Sequence, residues 1–157
     1  MNEPVQMIPI GVVHSTRTIP MDDDWDEVEA HIELDAAQFT PEALRGLEEF
    51  SHAEVLFCMN KVERSSIVRG TRHLRNNPDW PEVGIFAHRA RMRPNRIGAT
   101  VCRVLKIEGL RVYLEGLDAI DGSPVLDIKP WFAQMGPRGE IRQPSWVAEL
   151  MRRYWKT

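Results

Sequence analysis

Every apolar run in this chain is as short as a β-strand, and no long amphipathic helical pattern separates one run from the next. That argues against a doubly wound parallel sheet, whose strands need crossover helices between them. In the clearest run, Val28-Glu29-Ala30-His31-Ile32-Glu33-Leu34, Val28, Ala30, Ile32 and Leu34 share one face and polar groups the other, which is the period of a half-buried strand. Gln6–His14, Ser51–Met59, Val83–Ala87 and Val125–Ile128 read as further strands. Ile97–Ile107 and Leu110–Gly116 read as a hairpin turned at Glu108-Gly109, where glycine adopts positive φ freely. Thr40-Pro41 opens a short helix with Thr40 as N-cap. Ser145–Trp155 reads as a closing helix with Val147, Leu150, Met151 and Tyr154 along one stripe. Residues 60–82 read as a mobile polar excursion containing a helical turn. The expected architecture is mainly β: a small closed or nearly closed β-barrel with a few short helices, one domain over residues 1–157.

At 43% hydrophobic and 27% charged residues, the composition is that of a soluble globular protein, and no run is long enough to span a bilayer. Met1-Asn2-Glu3-Pro4 lacks the basic and apolar parts of a secretion signal, and Cys58 and Cys102 stand singly inside apolar runs as free thiols. A cytoplasmic location is expected. The net charge of -3 conceals a strong asymmetry. Residues 1–60 hold 13 acidic and 2 basic side chains, whereas residues 61–106 hold 11 basic and 3 acidic ones, nearly all of the basic ones arginine. Arginine offers a planar fork of donors suited to phosphate and carboxylate. Two readings of the block stand side by side: a surface for anions or RNA, or a scaffold bridging the acidic half.

Candidate chemistry gathers in polar stretches that interrupt the strands. In His88-Arg89-Ala90-Arg91-Met92-Arg93-Pro94-Asn95-Arg96, three alternating arginines would project to one side of an extended backbone, and Asn95 adds a donor and an acceptor. In Leu114–Trp131, Asp118, Asp121 and Asp127 lie near strand ends with Lys129 close by. Asp121-Gly122-Ser123-Pro124 is a good β-turn, which accounts for Asp121, whereas Asp118 has no such role. The five histidines share no metal-ligand spacing, so no metal is expected. Trp25 either stacks on a ligand or covers the core edge. Glycine-rich dinucleotide fingerprints, P-loops and nucleophile elbows are absent.

Five segments in order carry a resemblance: Ile10-Gly11-Val12-Val13-His14-Ser15, Gly46-Leu47-Glu48-Glu49-Phe50-Ser51-His52, Gly84-Ile85-Phe86-Ala87-His88-Arg89, Arg93-Pro94-Asn95-Arg96-Ile97-Gly98, and Leu117-Asp118-Ala119-Ile120-Asp121-Gly122-Ser123-Pro124-Val125-Leu126-Asp127-Ile128-Lys129-Pro130. Together they resemble the TsaA-like, or YaeB-like, family, which includes the TrmO-type tRNA methyltransferases, over a core of about residues 8–131. The resemblance implies a β-barrel that binds S-adenosylmethionine without a Rossmann sheet, commonly as a homodimer, and N6-methylates threonylcarbamoyladenosine beside the tRNA anticodon. By motif it implies cofactor contacts at Arg89, Asn60, Lys61, Ala99, Glu115, Gly116, Leu117 and Asp118. Arg93, Asn95 and Lys129 are the candidates for tRNA contact, and Asp118 or Asp121 for the proton acceptor. The chain departs from the pattern at Pro20-Met21-Asp22, where relatives commonly read Pro-Arg-Gln, and at His88, Ala90, Arg91 and Arg96 in the arginine loop. A methyltransferase for a small metabolite and a non-catalytic S-adenosylmethionine-binding module are the competing functions.

Overall fold

Alternating burial decides the architecture. In a computed structural model, which describes residues 2–156, eight strands form among the described residues: β1 (Gly11–Ser15), β2 (Glu29–Leu34), β3 (His52–Cys58), β4 (Thr71–His73), β5 (Glu82–Gly84), β6 (Ile97–Glu108), β7 (Arg111–Glu115) and β8 (Pro124–Pro130). Six close into a barrel in the order β1-β2-β7-β6-β3-β8, with every neighbouring pair antiparallel. Ala30, Ile32 and Leu34 of β2, Ala53, Val55 and Phe57 of β3, and Val112 and Leu114 of β7 all face inward. With Val13, Leu117 and Val125, all of these but Ala53 form one continuous core. Each buried Val, Leu, Ile or Phe among them contributes about 1.5–3 kcal/mol by leaving water. The barrel expectation holds, and each stave has a neighbour on both sides, with the shortest seam, two residue pairs, between β1 and β8.

Closure needs backbones close together at Gly11, where a Cβ would stand 2.4 Å from the Glu33 carbonyl oxygen. The β6–β7 hairpin turns through Gly109 and Leu110, with Gly109 at φ 59°. Its register shifts between Val104 and Lys106, so Leu105 is bulged out and 46% exposed.

Several elements differ from their expected form. The first strand begins at Gly11 and not Gln6, because only from there does the chain have partners on both sides; Val5, Met7 and Ile8 are exposed. The Thr40 segment is a 3-10 turn over Pro41–Leu44, and Thr40 makes no side-chain cap. The excursion after β3 contains β4, which pairs with β5, and 3-10 turns at Arg64–Ser66 and Leu74–Asn76. β5 stops at Gly84, and a 3-10 turn at Ile85–Ala87 follows. The closing helix, α1, spans only Trp146–Leu150. Beyond it, the carbonyls of Arg153, Tyr154 and Trp155 accept hydrogen bonds from the backbone N–H groups of Asp24, Trp25 and Asp26 at 3.0, 2.9 and 3.0 Å, which draws the segment out of helical form. Met1 and Thr157, the ends of the domain expected over 1–157, lie outside the described residues.

Candidate active site

An antiparallel barrel sends alternate strands up and down, so its connections sort to two ends. β1, β7 and β3 run toward one end, and β2, β6 and β8 start from it. The connections gathered there are residues 16–28, 59–96 and 116–123, the three polar stretches of the sequence. The opposite end carries the Gly109 turn and the 3-10 turns before β3.

At the loop-rich end Asp118 is held by two hydroxyls. Thr100 on β6 donates to its Oδ1, and Tyr154 of the C-terminal segment donates to its Oδ2. Burial, then the charge and hydrogen bond of Asp118, push the Tyr154 phenol well above its ordinary value, so it stays a donor. Burial, with Asp118 adding to it, also pushes the Cys102 thiol up to about 12. Arg89 is exposed and donates from Nη2 to the Ala99 carbonyl at 3.0 Å, one residue before Thr100. Its positive charge acts on Tyr154. Residues 89, 99–100, 118 and 154, far apart in sequence, therefore converge on one rim.

The other candidates are distributed around this rim. Lys61 Nζ donates to the Thr18 carbonyl at 3.1 Å, tying the excursion to the first loop, and the Asn60 carbonyl accepts from Arg96 at 3.3 Å. Glu115 accepts from Arg103 Nε at 2.7 Å, and Arg103 also reaches the Asp26 carboxylate at 3.0 Å. Gly116 is buried at φ 83°, and the side chain of Leu117 is fully inside the core, so Leu117 offers a ligand only backbone. Asn95 is exposed, whereas Arg93 bends back to donate to the His88 carbonyl at 2.8 Å. The expected row of three arginines on one side is not formed, because the loop is not extended there.

Asp121 lies apart from Asp118 in its work. Its Oδ1 accepts from the Ser15 backbone N–H at 3.0 Å, and Gly122 turns at φ 80°, which is the turn role. Lys129 pairs with Asp127 at 2.8 Å, and its strand position opposite Glu54 puts it toward the other end of the barrel. Trp25 is 2% exposed, and its indole N–H donates to the Met21 carbonyl at 3.2 Å. With Arg17 over its ring, it closes the core edge. His88, which departs from the family pattern, is buried with Nε2 at 3.1 Å from the Arg72 carbonyl and 3.0 Å from that of Val83, and so pins the excursion. Sequence reasoning missed Thr100 and Tyr154. Thr100 is a buried polar residue in the apolar first half of β6, which is a readable signal, whereas the sequence pattern puts Tyr154 on the helical core stripe.

Two shallow grooves lie elsewhere. One, of about 240 Å³, is lined by Pro41, Leu44, Ile107 and Gly109; the other, of about 430 Å³, by His14, His31, Tyr113 and Asp121 among others. Neither includes Arg89 or Asp118.

A family model described as the tRNA-methyltransferase O N-terminal domain matches residues 12–136. The chain belongs to this family. A tRNA (adenine(37)-N6)-methyltransferase from Mus musculus is 45% identical over 91 residues, 58% of this chain and 21% of that protein. A protein from Methanothermobacter thermautotrophicus, described as a probable S-adenosyl-L-methionine-binding protein, is 36% identical over 143 residues, 86% of this chain and 96% of its own. A crystal structure of TrmO from P. aeruginosa superposes with a TM-score of 0.74 at 30% identity, covering 93% of this chain and 63% of that one. The chain spans about a fifth of the length of the mammalian methyltransferases it matches. Within the TrmO N-terminal domain match lie Arg89, Ala99, Thr100 and Asp118, whereas Tyr154 lies beyond it. Among the described residues, no helix is long and apolar enough to cross a membrane.

Proposed function

We propose that this TrmO-family chain is an S-adenosylmethionine-dependent methyltransferase that acts on the N6 of an adenosine beside the tRNA anticodon, with threonylcarbamoyladenosine as the modified base. The observation that supports it most is the convergence of Arg89, Ala99, Thr100 and Asp118 at the loop-rich end of the barrel.

The donor set there fits the cofactor. Asp118 and Glu115 offer carboxylate oxygens to hydroxyl and ammonium groups, residues 115–117 offer backbone, and the exposed guanidinium of Arg89 suits a carboxylate. Asn60, Lys61 and Ala99 complete the proposed wall. When bound, the cofactor supplies an electrophilic methyl group on a sulfonium. The protein's part is to orient the acceptor nitrogen and to receive its proton. Asp118 is the proposed proton acceptor, because Thr100 ties it to the rim that Arg89 and Ala99 share, whereas Asp121 serves the turn beside Ser15. Tyr154 and Thr100 fix the orientation of Asp118. Asn95 and Arg93 are the proposed tRNA contacts, with Arg64 and Arg69 exposed beside them on the same connection.

One observation favours a second reading: both oxygens of Asp118 already accept hydroxyls from this chain, which suits a binding module that turns nothing over. Calorimetry with S-adenosylmethionine and single-turnover methylation of tRNA lacking the modification, followed by nucleoside analysis, separate the readings. The expected result is binding, weakened at least about tenfold in a folded Arg89→Ala variant by loss of a charge-assisted contact, together with a methylated adenosine in the tRNA. Binding without methylation supports the second reading, and no binding ends both. Labelling of small metabolites whose rate ignores salt would point away from tRNA, since phosphate contacts weaken steeply as salt rises.

A further inference from the structure

Strand pairing assembles a second set of chemistry-bearing side chains on the outer wall of the barrel, which no linear spacing reveals. His14 of β1 stands directly opposite His31 of β2, and Glu33 lies two residues along β2 on the same face. The imidazoles stack with centroids 4.7 Å apart and planes at 21°. His14 Nε2 lies 3.4 Å from Glu33 Oε2, and one ligand atom from each of the three residues lies within 4.8 Å of the others. Tyr113, the partner of His31 on β7, continues the row into the groove of about 430 Å³.

We propose that His14, His31 and Glu33 form an open binding site for a divalent transition metal of the zinc type. The staves fix the Cα positions, so only side-chain torsions need to change. Zinc–ligand bonds of about 2.0–2.2 Å in a tetrahedron set ligand atoms roughly 3.3–3.6 Å apart, the spacing at which His14 and Glu33 already stand, so what remains is their approach to His31 from within 4.8 Å. His14 and Glu33 are each 43% exposed and have room to close that gap. Glu33 arrives with its two oxygens divided: Oε2 faces His14, and Oε1 lies 3.5 Å from Arg111 Nη2. Metal binding displaces no contact of Oε1, and Arg111 becomes the outer partner that orients the carboxylate. Two nitrogens and one oxygen suit zinc and its neighbours in the first transition row, whereas calcium and magnesium take oxygen ligands. Three protein ligands on a flat wall leave coordination positions open toward the groove, where water or an anionic ligand completes the shell. The site shares no residue with the Arg89, Ala99, Thr100 and Asp118 cluster, so it does not rest on the methyltransferase reading.

The test uses the full chain without a polyhistidine tag, stripped with a chelator and titrated with Zn²⁺ and, separately, Co²⁺. One equivalent should bind, and the cobalt form should show visible d–d bands without the strong near-ultraviolet charge-transfer band of a thiolate ligand, which sets Cys58 aside. His31→Ala and Glu33→Gln should each weaken binding by more than tenfold, and Arg111→Ala by about tenfold, as for loss of an outer-shell partner. Far-UV circular dichroism checks that each variant is folded, and Cys58→Ser should bind as the parent does. No stoichiometric uptake by the parent chain overturns the proposal. So does equal affinity in folded Glu33→Gln and Arg111→Ala proteins, or a thiolate band that vanishes with Cys58→Ser.

Discussion

The barrel wall and the arginine-rich excursion between β3 and β6 solve the same problem by opposite means. On the wall, ladder partners satisfy most backbone polar groups and the side chains are free to divide between core and solvent. In the excursion the ladder is missing over most of its length, and arginines take its place. Arg96 donates to the carbonyls of Val62 at 2.9 Å and Asn60 at 3.3 Å, and Arg93 to that of His88 at 2.8 Å. Arg75 grips both oxygens of Asp23 at 2.8 and 3.1 Å and the Leu150 carbonyl at 3.1 Å. Much of the positive block is thus an internal scaffold. Bonds to neutral carbonyls do not cancel the charge, so a guanidinium can shape the loop and still attract an anion.

If this contrast is right, damage to the wall should cost far more than damage to the excursion. Leu114 is fully buried in the core, so Leu114→Ala should destabilise by about 2–5 kcal/mol, read as a lower urea midpoint. Arg96→Ala removes two charge-assisted hydrogen bonds at a half-buried site and should cost about 1–2 kcal/mol. Equal losses from the two would break the comparison. A loss from Arg96→Ala too small to measure would sharpen it, by showing that water replaces the guanidinium.

The same contrast explains what was legible in the sequence. Alternation at Val28–Leu34 exposed one stave and its inward face, because a half-buried strand imposes period two on its side chains. The hairpin at Gly109 was visible through its glycine. The limits of the first strand were not, since Met7 and Ile8 are apolar yet meet no partner. At the candidate site, Asp118 was legible because no turn accounted for it, and Arg89 because a motif carried it. Tyr154 was hidden, because its role depends on Asp24–Asp26 pairing with residues 153–155, a contact between chain ends that no local pattern encodes. His14 and His31 were hidden for the same reason, since barrel register alone makes them neighbours.

That end-to-end contact supports the smallest expected effect. Tyr154→Phe removes one hydroxyl from Asp118 and should cost about 1 kcal/mol near neutrality. Its pH dependence is diagnostic. Burial and Asp118 hold the folded phenol above its ordinary value of 10.0, so above pH 10 the unfolded chain carries fewer protons than the folded one. The stability contributed by the phenol is then fully present below pH 10 and falls as the pH rises beyond it. Cys102, raised from 9.0 to about 12, adds a decline of its own that begins lower, but it is common to both proteins and cancels in their difference. The advantage of the parent over Tyr154→Phe should therefore be flat from pH 7 to 9 and shrink toward pH 11. A gap that stays constant across that range would mean that the phenol is neither buried nor bonded to Asp118, and that the C-terminal segment does not hold it at the rim.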